Sequence, residues 1–162
     1  MEIIFKHFWV LFIVVIFVNA VIMRKRADSY IEINPDLKAG YDKLFKNFLL
    51  FANIPWLIMG IGDLAGLTNG IFEFLMPRQL NPIVLIFHVS LITLWGLGSY
   101  WIYLKDGAEF LAKHPGFLNT GEPSKTDQVN KNKVKFMWTL ILLGGIIGEI
   151  LMWNMNGTTT RI

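Results

Sequence analysis

NPIVLIFHVSLITLWGLGSYWIYLKDG, residues 81–107, decides the fold of this chain. From Pro82 to Leu104 it contains no Asp, Glu, Lys or Arg. At about 1.5 Å per residue such a run crosses roughly 30 Å of hydrocarbon as a helix. One ionisable side chain, His88, stands inside it. Three further stretches are long and apolar enough to span, 3–23, 48–67 and 136–153. The expected fold is an all-α, four-transmembrane-helix bundle, one integral membrane domain over residues 1–162.

Composition agrees. Hydrophobic residues make up 54% of the chain and charged residues 17%, with a mean hydropathy of +0.48. Soluble domains carry about a quarter charged residues. The sequence pI near 9.2 does not imply nucleic acid, because the basic residues sit between apolar runs and build no concentrated basic face. The absence of cysteine excludes disulfides, thiolate metal sites, a Cys nucleophile and covalent CxxCH haem attachment.

The distribution of Lys and Arg orients the spans. Residues 24–46 hold six of them and 105–135 another six, whereas Lys6, Arg78 and Arg161 are the only others. The positive-inside rule then puts both basic loops in the cytoplasm and both termini outside. Val18-Asn19-Ala20 resembles a signal-peptide cleavage site, but the cluster Arg24-Lys25-Arg26 follows the apolar run, so span one reads as retained. Asn34-Pro35 has the form of a helix start, and Leu37, Tyr41, Leu44, Phe45 and Phe48 share one face of an amphipathic helix expected on the membrane surface. Asp106 and Glu109 have capping-box spacing, and Pro115-Gly116 stops a short helix. The stretch 119–133 is polar and turn-rich, and IFEFLMP (71–77) reads as an interfacial segment.

With that orientation, each span carries one ionisable side chain in the outer leaflet. His7 and His88 lie near the outer ends of the inward-running spans, Asp63 and Glu149 near the outer ends of the outward-running ones. All four fall roughly 4–9 Å below the outer boundary. The chain also reads as two parallel helical-hairpin repeats. His7 precedes Arg24 by seventeen residues, as His88 precedes Lys105, and both acids follow glycine, in GIGD (60–63) and IIGE (146–149). Gly62 with Gly66, and Gly144 with Gly148, form small-xxx-small pairs expected to pack against neighbouring helices. On span three His88, Ile92, Trp95, Ser99 and Ile102 fall on one stripe expected to face protein.

Two imidazoles on different spans suit axial ligation of a b-type haem, with His7 and His88 as ligands and Asp63 and Glu149 as hydrogen-bonding or proton-relaying partners. That reading requires the two rings to approach across one iron. The same four groups could hold a divalent metal or relay protons. A structural reading stands beside each, since polar groups one turn from the interface can snorkel or cap a helix. Asn19 and Asn53 read as interhelical hydrogen-bonding groups, and Trp9, Tyr100, Trp101, Tyr103 and Trp153 as interfacial anchors. No GxSxG, Walker loop, HExxH or GxGxxG before a helix is present, so no soluble-type enzyme is indicated. The second functional class is a non-catalytic membrane subunit or scaffold, assembling with other membrane proteins or with itself through its glycine faces.

In layout the chain resembles the small four-span CopD-like and HemJ-like bacterial membrane proteins, the latter linked to haem and protoporphyrinogen oxidation. The matching residues are an early span-one histidine (FKHFWVLF), a basic end to that span (MRKRAD) and a charged approach to span two (YDKLFKNFLLFANIPW). The HemJ-like lysine of span three and the acidic, proline-containing approach to span four are absent. The resemblance implies a bacterial inner (cytoplasmic) membrane and adds weight to haem.

Overall fold

The computed structural model describes residues 7–117 and 130–155, and every regular element among them is helical. Expectations that rest on Glu2, Lys6, the first residues of span one, the polar stretch 119–129 and the C-terminal residues lie outside them. In chain order the helices are α1 (Phe8–Ile33), α2 (Lys38–Leu64), α3 (Ile71–Phe74), α4 (Pro82–Leu104), α5 (Gly107–Lys113) and α6 (Lys131–Asn154). Three 3-10 turns, Pro35–Leu37, Pro77–Gln79 and Pro115–Phe117, begin at prolines. Proline suits a first helical position, where its missing N–H would have no partner.

Helices α1, α2, α4 and α6 are long and apolar enough to cross a membrane. Their main packing runs α1 on α2, α2 on α4 and α4 on α6. Large apolar side chains such as Phe17, Leu50, Val89 and Ile147 stand exposed along all four, as hydrocarbon-facing surface requires. Pro55 lies inside α2 without ending it, which membrane helices tolerate.

Two apolar clusters fasten the helices at opposite ends. At the basic end α1 continues well past Arg24–Arg26, and Tyr41, Leu44 and Phe45 of α2 join Ala27 and Tyr30 of α1, Ile102 of α4, Leu111 of α5 and Val134 of α6 in one core. The amphipathic stripe of α2 therefore buries itself in protein instead of lying on a membrane surface. Asn34 caps the Pro35 turn by accepting from the Asp36 N–H, as its sequence position suggests. The Asp106–Glu109 capping box does not form. Asp106 is held at φ 54° with no side-chain cap bond, and Glu109 turns to Lys113 at 2.9 Å. At the other end, the histidine end, Met59, Phe74, Val84 and Phe87 form the second core. The 71–79 segment folds over it, with Phe74 and Pro77 buried.

The close approaches are made by glycine under tryptophan. A Cβ at Gly60 would lie 2.8 Å from the Trp9 ring, and one at Gly107 2.5 Å from Trp101. Between α4 and α6 the device is reciprocal: Trp138 covers Gly98 and Trp95 covers Gly145, both within 2.6 Å of a built Cβ. Of the four glycines expected at helix contacts, only Gly62 serves one, its Cβ position lying 2.9 Å from Ile83. Gly66 instead ends α2. At φ 68° its N–H donates to the Asp63 carbonyl at 3.1 Å, while the Leu67 N–H donates to the Gly62 carbonyl at 2.8 Å, the paired bonds of a Schellman stop. Gly144 and Gly148 meet nothing within 4 Å, because the face of α6 that packs on α4 carries Gly145, one residue and about 100° away from Gly144. Ile92 is 56% exposed and leaves the span-three stripe, sitting about 40° round the helix from His88.

This packing predicts opposite responses from adjacent glycines. Gly145→Ala and Gly98→Ala should each lower thermal stability in detergent by about 1–3 kcal/mol, the usual cost of overpacking a tight contact. Gly144→Ala should leave the melting midpoint unchanged or slightly raised.

Candidate functional site

The four ionisable groups of the spans pair off, each pair joining the two helices of one hairpin. His7 Nδ1 lies 2.8 Å from Asp63 Oδ2, and His88 Nδ1 lies 2.9 Å from both Glu149 carboxylate oxygens. The depth match inferred for these side chains thus holds within each pair. The hairpin correspondence reaches the level of atoms, because both histidines use Nδ1.

The surroundings of the pairs differ. His88 and Glu149 are buried, at 2% and 7% exposure. The second ring nitrogen of His88, Nε2, lies 2.9 Å from the Phe74 carbonyl oxygen. A carbonyl only accepts, so Nε2 carries a hydrogen. Nδ1 then either donates its own hydrogen to Glu149 or accepts one from it, and in both cases the pair is neutral overall. With both nitrogens engaged, His88 has no lone pair to offer an iron. Its two partners, Glu149 and the Phe74 carbonyl, tie α4 to α6 and to the segment that covers the end of the helices.

His7 is more open. It precedes the first turn of α1 and its side chain is 42% exposed, whereas that of Asp63 is 1% exposed. Asp63 Oδ2 also accepts from Trp9 Nε1 at 3.2 Å, which the seating of Trp9 on Gly60, one turn before Asp63, makes possible. The imidazole is thereby held at Nδ1. No described residue engages its Nε2, which keeps a nitrogen available at the half-exposed edge of the ring.

Asp63 itself is poorly placed for a bare anion. It lies in the last turn of α2, where the helix dipole opposes negative charge, and its Oδ1 is buried without a hydrogen-bond partner among the described residues. Thr68 Oγ1, beyond the same helix end, is also buried and unpartnered. The positive or proton-bearing partner that Asp63 needs is His7. Asn81 and Glu73 complete the polar framework outside this turn. Asn81 Nδ2 donates to the Leu67 carbonyl at 2.8 Å, and Glu73 accepts from Asn69 at 2.6 Å.

The two pairs do not converge. Among the described residues no three His, Asp or Glu side chains gather closely enough to hold a metal ion. Each ring is drawn to the acid of its own hairpin, and both nitrogens of His88 are engaged by protein groups, whereas the bis-histidine scheme needs one of them for iron. Asn53, expected to bond between helices, donates to the Leu49 carbonyl of its own helix at 2.6 Å. Two participants were not anticipated. Trp9 has a sequence signal in the glycine one turn before Asp63, but the Phe74 carbonyl is a backbone group and has none.

Because His88 and Glu149 are mutually satisfied in the interior, a double-mutant cycle of His88→Ala and Glu149→Gln should give a coupling of about 1–3 kcal/mol in detergent unfolding. Additive losses would mean that the two side chains act independently. No family model, curated protein or solved structure matches this chain, so its chemistry is read from this geometry.

Proposed function

We propose that this chain is a redox-related integral membrane protein in which His7 supplies an imidazole ligand to a b-type haem. The observation that carries this reading is the His7–Asp63 pair: a buried carboxylate at 2.8 Å from Nδ1, and an Nε2 that no described residue engages, on a half-exposed ring. A carboxylate on the far nitrogen is the usual partner of a metal-ligating histidine, because it fixes the ring and makes the free nitrogen a better donor. The bis-histidine scheme does not fit, since both nitrogens of His88 are taken. His7 fits as a single ligand. A bound haem would supply one-electron chemistry, and the chain's own part would be to hold the ring, with Trp9 and Asp63 setting its orientation.

The membrane assignment extends to orientation. We place the chain in a bacterial cytoplasmic membrane, with residues 24–46 and 105–135 in the cytoplasm and the histidine pairs in the outer leaflet, on the strength of twelve Lys and Arg in those two segments against three elsewhere. Reporter fusions after Lys125 should give a cytoplasmic signal, and fusions after Ile162 an external one. The reverse result would invert the site's location.

A second reading has its own support. The open faces of α1 and α6, with Gly144 and Gly148 meeting nothing, suit a non-catalytic subunit that packs against other membrane proteins or another copy. The two readings separate spectroscopically. Protein purified in detergent and supplied with hemin should show a Soret band that is lost in His7→Ala and retained in His88→Ala. Loss in both variants would restore the bis-histidine scheme, and no band in the unaltered protein would leave the subunit reading.

A further inference from the structure

The basic end of α4 and α6 carries an arrangement that neither the histidine pairs nor the two cores explain. Tyr100 and Tyr103 stand three residues apart on one face of α4 and are 49% and 40% exposed. Lys105 Nζ lies 5.6 Å from the centre of the Tyr100 ring, and Lys135 Nζ, from α6, lies 5.8 Å from that of Tyr103. Both distances fall within cation–π range. The Tyr103 hydroxyl fastens this face to α6, at 2.7 Å from Thr139 Oγ1 and 3.2 Å from the Lys135 carbonyl oxygen.

The two ammonium groups are therefore positioned, yet they lack counter-charges. Arg24 pairs with Asp28 and Asp42, and Lys113 with Glu109, but among the described residues neither Lys105 nor Lys135 forms an ion pair. The Tyr100 hydroxyl likewise has no partner among them. The rings beneath the lysines are about one helical turn apart, roughly 5 Å along the axis, a span that one phosphate diester can bridge. Further into the span the same face reaches Gly96, at i, i+4 and i+7 with Tyr100 and Tyr103, where a built Cβ meets nothing within 4 Å. Exposed Leu104 and Phe136, at 71% and 63%, put the lysines at the edge of an apolar surface and not in open water.

We propose that this face binds one anionic phospholipid. Its phosphate lies between Lys105 and Lys135 with the Tyr100 hydroxyl as donor, and one acyl chain runs along the notch at Gly96. A soluble anion would use the lysines but gain nothing from the notch and its apolar margin. A zwitterionic lipid would fill the notch, but its own ammonium group would stand against two fixed cations.

The test uses protein purified and delipidated in neutral detergent, supplied with phosphatidylglycerol or phosphatidylcholine of identical acyl chains. Binding is read by native mass spectrometry and by the thermal midpoint. Phosphatidylglycerol should bind more tightly and stabilise more. Lys105→Gln with Lys135→Gln should weaken it roughly 30-fold, about fivefold for each lysine near a membrane surface. Lys25→Gln with Lys43→Gln, on exposed lysines of α1 and α2, should leave the preference intact. Gly96→Leu should weaken phosphatidylglycerol binding without lowering the lipid-free midpoint, since a Cβ built there meets nothing within 4 Å. Equal binding of the two lipids, an equal loss from the Lys25 and Lys43 pair, or undiminished binding in Gly96→Leu would each overturn the proposal.

Discussion

An ionised side chain within the hydrocarbon region of a membrane costs several kcal/mol unless a partner neutralises it or water reaches it. That constraint orders the histidine end of this protein. Asp63 and Glu149 sit near the ends of outgoing helices with 3% and 7% exposure, so each must be met by a group able to carry a positive charge or a proton. His7 and His88 meet them, each from the other helix of the same hairpin. Pairing in this way fixes the relative height of the two helices to within a hydrogen bond. The glycine contacts can then be as tight as they are without sliding.

Tryptophan on glycine is the complementary device. Apolar burial supplies little drive between helices in lipid, so contact area and fit must hold them together. An indole ring against a bare backbone gives both. Trp95 on Gly145 and Trp138 on Gly98 lock α4 and α6 from opposite sides. Trp138 adds a hydrogen bond to Ser99 Oγ at 3.0 Å, so its polar edge is satisfied as well. Trp9 on Gly60 does the same for α1 and α2 while delivering its N–H to Asp63. Packing and polar chemistry therefore use the same side chain there, and mutation of Trp9 would disturb both.

The spans, their polar residues and the proline starts were legible in the sequence because they rest on one-dimensional properties: run length, charge and residue type. Rotational phase was not. Gly144 and Gly145 are adjacent, and which of them faces α4 depends on a 100° rotation that hydrophobic periodicity could not resolve in helices apolar all round. Ile92 left its stripe for a similar reason, lying at the edge of an arc and not at its centre. Gly66 was misassigned because a small-xxx-small spacing and a helix stop are the same residue when the helix end is unknown. Four ionisable residues near the helix ends were legible, but not their division into two separate pairs. Helix α2 packs on α4 of the other hairpin as well as on α1, so proximity alone does not choose the partners; the pairing depends on which way each side chain turns, which residue type and spacing do not encode.

The two pairs are alike in the histidine atom they use but unlike in closure. The second partner of His88 is a backbone carbonyl from a folded-over segment, so every polar atom of its ring is used, and Phe87 stands edge-on against the ring. In the other pair the additional donor is Trp9, and it goes to the carboxylate instead, so that no described residue engages the far nitrogen of His7. A hydrogen bond to the acid steadies the pair without consuming the base. The geometry thus separates two roles that equivalent positions in the sequence left indistinguishable. One histidine closes the fold around itself, and the other is held with a reactive atom to spare. In the haem reading proposed above, that atom is the ligand.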